Sequence, residues 1–306
     1  VTARPVQAHL EKEKERAARL ARFVRGSHPP VPSLVFAVLW AYGVTGLFAA
    51  LDPSPPAWRP GAGTAVAAAT LFVDLLLMRA LDDIRDLDYD RRFNPGRPLA
   101  AGAVRTSDLA VLYGAGAAVL ILLNIAWPWR AGILLVQLGY AAGAVAVHRR
   151  WGRPSADDLF RSLLVSLPAP LLLHLYLYAG YLDASGHDPD WSGAVAIAVV
   201  VLAAGHAELA GKLTRAPRAG ERTYVTTLGV AGTAAAALAV PVLSAALVAA
   251  RSQAPAGWTL AALLPAAAPL AAAWAFAHGR TRWPPFAPAL YMLLSFGSYL
   301  ALGLAR

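Results

Sequence analysis

Apolar residues gather into nine runs, at about 31–51, 62–81, 107–127, 130–148, 160–181, 192–210, 225–250, 256–277 and 286–305. Each is near the roughly 20 residues a helix needs to cross a bilayer, so the pattern predicts about nine transmembrane helices. The turn Trp127, Pro128, Trp129, Arg130 separates two runs that hydropathy alone would merge. Residues 1–30 follow a different rule: AHLEKEKERAARLARF mixes acids and bases with apolar positions near helical spacing. This predicts an amphipathic helix at the membrane surface that offers Leu10, Leu20, Phe23 and Val24 to the interface. Pro29, Pro30 and Pro32 end it. The expected organisation is an interfacial segment, 1–30, and a transmembrane domain, 31–306, with the all-α helices around a central cavity.

Composition agrees with the pattern. Hydrophobic residues make up 58% of the 306 and charged residues 15%, where a soluble domain carries about 25% charged residues. The absence of cysteine removes disulfides, thiolate metal sites and thiol nucleophiles from consideration. Residues 1–30 lack the apolar core of a signal peptide, so none is expected there. The formal charge of +9 would suggest nucleic acid in a soluble protein. Here the basic residues sit in short loops beside apolar runs, which points to topology and anionic headgroups. Of the 27 Lys and Arg, 23 fall on the flanks that include the N-terminus, leaving Arg59, Arg130, Arg251 and Arg306 on the other side. The N-terminus is therefore expected in the cytoplasm of a cell-membrane protein.

The most informative stretch, RALDDIRDLDYDRRFNPGRPLAAG, runs from Arg79 to Gly102 on that same side. If the preceding helix continues through it, Asp83, Asp86 and Asp90 fall at spacings of three and four and share a face, with Asp82 beside it. Asp88 points elsewhere. Crowded carboxylates repel one another unless a cation neutralises them, and hard oxygen ligands suit Mg²⁺.

A second stretch, Gly205 to Gly229, supplies Glu208, Lys212, Arg215, Arg218, Glu221 and Arg222 on the same side. Glu208 and Lys212 are four apart and become neighbours if the helix outlasts the span. Both stretches follow an even-numbered run, mix acid with base and end on glycine, a weak internal symmetry that suggests two half-bundles facing one cavity. A basic turn at His148, Arg149 and Arg150 lies on this side too, and Asp157 with Asp158 opens the next helix. Asp74, Asn124 and His174 are lone polar residues within runs, expected to be satisfied by interhelical hydrogen bonds. Gly139 and Gly143, with the Ala runs near 65 and 234, suggest close helix packing. Trp58 with Arg59, and Pro189 with Trp191, resemble outer-interface anchors.

A carboxylate face loaded with Mg²⁺ opposite a basic loop suits an amphiphilic diphosphate. The metal would bridge its oxygens, Arg and Lys would balance the remaining charge, and the hydrocarbon tail would enter the bundle. Aromatic faces to steady a carbocation would come from among Trp40, Tyr42, Tyr140, Tyr176, Tyr178, Trp274, Tyr291 and Tyr299. His206 and Tyr224 are conjectural bases for an acceptor.

The run DDIRDLDYD, Asp82 to Asp90, followed by RPLAAG, Arg97 to Gly102, resembles the first aspartate-rich motif of the UbiA superfamily of intramembrane prenyltransferases. The nine runs and the basic turn after the fourth are similar to that family as well. The resemblance implies that Asp83, Asp86 and Asp90 hold Mg²⁺ and the prenyl diphosphate, with Asp82 in the family's Asn or Asp position. It further implies that Arg97 supports the loop or the diphosphate, and that Arg149 and Arg150 fill the basic position after the fourth span. The second motif departs: where the family commonly has a further aspartate set, this chain has ELAGK, Glu208 to Lys212, and then ERTY, Glu221 to Tyr224. Glu208 can still hold Mg²⁺, while Lys212, Arg215 and Arg222 would bind the diphosphate directly. This is closer to divergent members in specialised metabolism.

The resemblance therefore implies an enzyme that ionises an isoprenyl diphosphate with Mg²⁺ and passes the prenyl group to an acceptor, expected to be aromatic. Asp82, Asp83, Asp86, Asp90, Glu208 and Lys212 are its expected catalytic set. The alternative is cyclisation of the prenyl cation by its own double bonds to a terpene. A transporter or lipid-binding protein is the reading outside enzymology, but it would place its strongest charges at mid-membrane rather than at one rim.

Overall fold

A computed structural model describes residues 3–56, 58–152 and 158–306, with the helical backbone alone for residues 3–10. Asp157, expected at a helix start, lies outside the described residues, and so does the side chain of Leu10. The described chain is helical, with one isolated bridge between Thr214 and Arg282 in place of any strand. Nine helical segments among the described residues are long and apolar enough to cross a membrane. The chain is a multi-pass, all-α membrane protein.

Helix α1 is Ala3–Ser27, α2 Pro30–Leu51, α3 Ala62–Arg85, α4 Leu87–Phe93, α5 Thr106–Leu123 and α6 Pro128–Trp151. Helix α7, Leu159–Ser166, and α8, Pro168–Ser185, form one span broken at Pro168, whose ring cannot donate to the helical ladder. Helix α9 is Trp191–Gly211 and α10 is Val225–Arg251. Helix α11, Ala256–Ala261, a 3₁₀ turn at Leu264–Ala266 and α12, Ala267–Ala277, make the eighth span, and α13 is Ala287–Leu304.

The core lies where α2, α3, α8, α9 and α13 meet, and it contains Leu47, Phe48, Leu71, Tyr176, Val199 and Phe296. Helices α2 and α13 share the most extensive contact. A Cβ on Gly46 would lie 2.7 Å from the Tyr299 carbonyl oxygen, and one on Gly303 would meet the Gly46 backbone. Only glycine permits that backbone contact. The expected packing role of Gly139 and Gly143 is corrected, since a Cβ at either position would meet nothing within 4 Å.

Polar residues within the spans divide into two groups. Asn124 donates to Thr70 Oγ1 at 2.9 Å and accepts from the Tyr176 hydroxyl at 2.8 Å, the expected interhelical bridge. Arg130 extends it, donating to the Tyr176 hydroxyl at 2.6 Å and to the Gly63 carbonyl at 3.2 Å. Asp74 has only the Gln137 side chain of α6 in reach, without a well-formed bond, and His174, expected to be bridged as well, has neither ring nitrogen in a well-formed bond among the described residues.

Helix α1 departs from expectation. Phe23 is fully buried against Ala80, Ile84, Leu99, Val104 and Leu109, with Leu20 packed beside it. Arg19 grips Asp108 with bonds of 2.7 and 3.0 Å. The apolar stripe of α1 therefore docks on the bundle instead of facing lipid, because the loop after α4 offers it a protein surface. Trp58 is likewise buried in the core rather than held at the interface, whereas Trp191 is exposed.

Candidate functional site

Helices α3 and α4 build the site. The chain passes from one to the other at Asp86 without losing the helical ladder, since the Asp86 N–H reaches the Asp82 carbonyl at 2.8 Å and the Asp90 N–H reaches Asp86 at 2.8 Å. One helical stripe, Asp74, Met78, Asp82, Arg85, Asp86 and Tyr89, therefore looks into a cavity of about 610 Å³. Helix α6 contributes Gln137, Tyr140 and His148 to it, α7 and α8 contribute an apolar wall, and α9 contributes Glu208. The loops before α10 and α13 add Arg222 and Arg282.

The shared face is Asp82, Asp86 and Asp90, at spacings of four. Asp83 is not part of it: buried behind the cavity wall, it pairs with Arg79 at 2.8 Å and accepts from the Ser27 hydroxyl at 3.2 Å. One residue along a helix is a turn of about 100°, enough to carry a side chain from the cavity to the seam with α1.

The RPLAAG segment has a local explanation. Arg97 returns to Asp90 at 2.6 Å, where the Asn94 amide also donates at 2.8 Å. Leu99 enters the small core beneath Phe23. Gly102 closes the turn with φ +74°, a conformation that costs any residue with a Cβ.

Around the rim, acids and bases alternate. Arg85 joins Asp82 at 3.1 Å and Asp86 at 2.9 Å, and Arg222 reaches Asp86 at 2.9 Å. Lys212 pairs with Glu208, as the spacing of four predicts, and the Tyr224 hydroxyl donates to the same carboxylate at 2.8 Å. Arg282 holds Glu221 at 2.7 Å. The bridge between Thr214 and Arg282 sets this last pair in place, with the Arg215 N–H donating to the Thr281 carbonyl at 2.7 Å.

Burial alone would raise the Asp86 carboxyl, but the guanidinium groups of Arg85 and Arg222 outweigh it and hold it below the usual carboxylate range. Glu221 is also held low: burial opposes ionisation, while the Arg218 N–H and Arg282 favour it more strongly. Burial and the neighbouring Glu208 push the Tyr224 phenol up, so it serves as a donor.

Among the expected anion-binding residues, Arg97, Lys212 and Arg222 line the cavity. Arg149 and Arg150 are exposed outside it, and Arg215 turns away to lie 4.4 Å from the centre of the Phe276 ring. Among the expected aromatic faces, Trp40 and Tyr140 line it, whereas Tyr176, Tyr291 and Tyr299 pack in the core and Trp274 is exposed. His206 is buried elsewhere, bonded to the Ala237 carbonyl at 2.7 Å. Arg85 and Arg282 escaped sequence reasoning as site residues. The spacing of Arg85 from Asp82 was the available signal, while nothing local marks Arg282.

Among the described residues, no three acidic or histidine side chains converge as a group able to hold a metal. Mg²⁺ needs only one or two carboxylates beside substrate phosphate oxygens. The oxygen donors facing the cavity, Asp82, Asp86, Asp90 and Glu208, fit that requirement. Comparison with protein-family models, curated proteins and solved structures finds no match for this chain.

Proposed function

We propose that the chain is a membrane prenyltransferase that ionises an isoprenyl diphosphate and transfers the prenyl group to an aromatic acceptor. The observation that carries this reading is one cavity with a rim of alternating acids and bases above an apolar wall. Its volume of about 610 Å³ lies within the range of about 300–1,000 Å³ common for small-molecule sites. The positive flanks support a rim on the cytoplasmic side.

Arg85, Arg97, Lys212, Arg222 and Arg282 bind the diphosphate by exchanging their present carboxylate partners for its oxygens. The apolar residues of α3, α6 and α8 receive the hydrocarbon and exclude water from the allylic carbon. Asp82, Asp86, Asp90 and Glu208 would hold Mg²⁺, which when bound would supply further charge neutralisation for the leaving diphosphate. The allylic C–O bond breaks with both electrons leaving on the diphosphate oxygen. Trp40 and Tyr140 present π faces to the resulting cation; the acceptor captures it with an electron pair of its own and gives up the displaced proton to the departed diphosphate.

Cyclisation by the prenyl chain's own double bonds is the second reading, and one observation favours it: neither His206 nor Tyr224 lines the cavity as a base for an acceptor.

The test is incubation of liposome-held protein with C10, C15 and C20 prenyl diphosphates and Mg²⁺, with and without aromatic acceptors, followed by mass spectrometry. Prenylated acceptor lost in Asp86→Ala supports transfer. Cyclic hydrocarbon or alcohol formed without acceptor supports the second reading. Intact diphosphate in every arm overturns both.

A further inference from the structure

Below the charged rim the cavity has a second polar feature. Asp74 lies twelve residues before Asp86 on the same stripe, about 18 Å deeper at the helical rise. It is fully buried, and the Gln137 side chain is the one polar group that reaches its carboxylate, without a well-formed hydrogen bond to either oxygen among the described residues. Gln137 of α6 sits beside it, also fully buried, with Oε1 unpartnered and Nε2 only 3.5 Å from the Met78 sulfur, a weak acceptor. The indole N–H of Trp40 is unpartnered as well, and all three side chains line the cavity.

Unpaired polar atoms inside a membrane bundle are costly, and an ionisable side chain within a span marks a binding or transport site by default. Asn124, one helix away, is bonded to both Thr70 and Tyr176. Asp74 and Gln137 present acceptor atoms to an enclosed space instead. The Asp74 and Gln137 oxygens call for a donor and the Trp40 N–H for an acceptor, needs that a hydroxyl meets together, and the walls around them are otherwise apolar and aromatic.

We propose that Asp74 and Gln137 form the subsite for the second reactant, receiving the hydroxyl or amine substituent of a small aromatic molecule whose ring lies between Trp40 and Tyr140. As an acceptor site, this assignment rests on the prenyl-transfer reading. It supplies the polar contact that His206 and Tyr224 do not.

The test compares 4-fluorophenol with 4-fluorotoluene, which differ by hydroxyl against methyl, using ¹⁹F NMR titration of the full chain in lipid nanodiscs with empty nanodiscs subtracted. Wild type should bind the phenol at least tenfold more tightly. Asp74→Leu and Gln137→Leu should lose that preference, and Asp74→Asn, which keeps one acceptor oxygen, should retain part of it. If Asp74→Leu fails to fold, Gln137→Leu and Asp74→Asn decide the matter. Equal binding of both probes by wild type, or an undiminished preference in Gln137→Leu, overturns the subsite. Diphosphate release from a C20 prenyl diphosphate is followed in the same samples. Hydroxyl preference without any release upholds the subsite and removes prenyl transfer, while release without preference does the reverse.

Discussion

Arg222 Nη1 donates to Asp86 Oδ1 at 2.9 Å, and the Arg222 guanidinium lies 4.2 Å from the centre of the Tyr89 ring. The contact joins the loop before α10 to the junction of α3 and α4, across the cavity mouth. A substrate anion that competes for Arg222 Nη1 would weaken its hold on Asp86 and free a carboxylate oxygen. On the proposed prenyl-transfer reading, this one pair would couple substrate binding to the preparation of a metal ligand.

That coupling separates Asp86→Asn from Arg222→Gln. Asp86→Asn should lower kcat at least 100-fold, whereas Arg222→Gln should act chiefly on KM for the prenyl diphosphate, raising it about tenfold, the scale of one charge-assisted contact. The reversed pair, Asp86→Arg with Arg222→Asp, should recover stability lost in either single variant without recovering turnover. Steady-state kinetics and detergent-phase thermal unfolding check both, and full activity in the reversed pair would show a merely structural bridge.

Asp82 and Asp83 should part company. Asp82→Asn alters a half-exposed cavity carboxylate and should cut diphosphate release more than tenfold with little change in stability. Asp83→Asn removes the charge that pairs with Arg79 and leaves a neutral oxygen to accept from Ser27, at a cost of about 3 kcal/mol. The loss should appear as easier proteolysis of α1, because Ser27 ends that helix. Equal stability of the two variants would contradict the assignment.

The nine spans were legible because apolar runs of membrane length leave little choice of structure. The aspartate stripe was legible to within one residue. Period alone could not decide between Asp82 and Asp83, since each falls three or four residues from Asp86, and the choice is made by what α1 offers on the far side. Arg282 was invisible because its place depends on a pairing with Thr214 sixty-eight residues earlier. Glycines misled for a similar reason: Gly139 and Gly143 have helical spacing, yet the close approach occurs at Gly46 and Gly303, where α2 meets α13. Side-chain identity marks where a close contact is permitted, and topology decides where it is made.

Gly303→Val tests that contact. The added side chain would press on the Gly46 backbone, which a flexible neighbour cannot relieve. Destabilisation of about 1–3 kcal/mol is expected, the usual cost of overpacking. Gly143→Val, at a position with open space, should change stability by less than about 0.5 kcal/mol. Chemical unfolding of the two variants in mixed micelles makes the comparison.

At the end of the bundle away from the rim, Asp52 caps the exit of α2, accepting from the Tyr181 hydroxyl at 2.5 Å, from the Ser54 N–H at 2.7 Å, and bonding to His187 Nδ1 at 2.7 Å. Burial alone would raise this carboxyl, but the bonds from Tyr181, Ser54 and His187 outweigh it and hold it at about 2. The unfolded chain binds its proton near pH 3.9. The contribution of Asp52 to stability is thus complete above that pH and is lost as pH falls toward about 2. Asp52→Asn should lower stability at pH 7 by about 2 kcal/mol, the scale of a buried bond to a charged group. It should also flatten the loss between pH 4 and pH 2, leaving the two proteins nearly equal at the acid end. Thermal unfolding at stepped pH measures the gap directly, and a gap that stays constant with pH would mean that the carboxylate's charge has no part in the clasp.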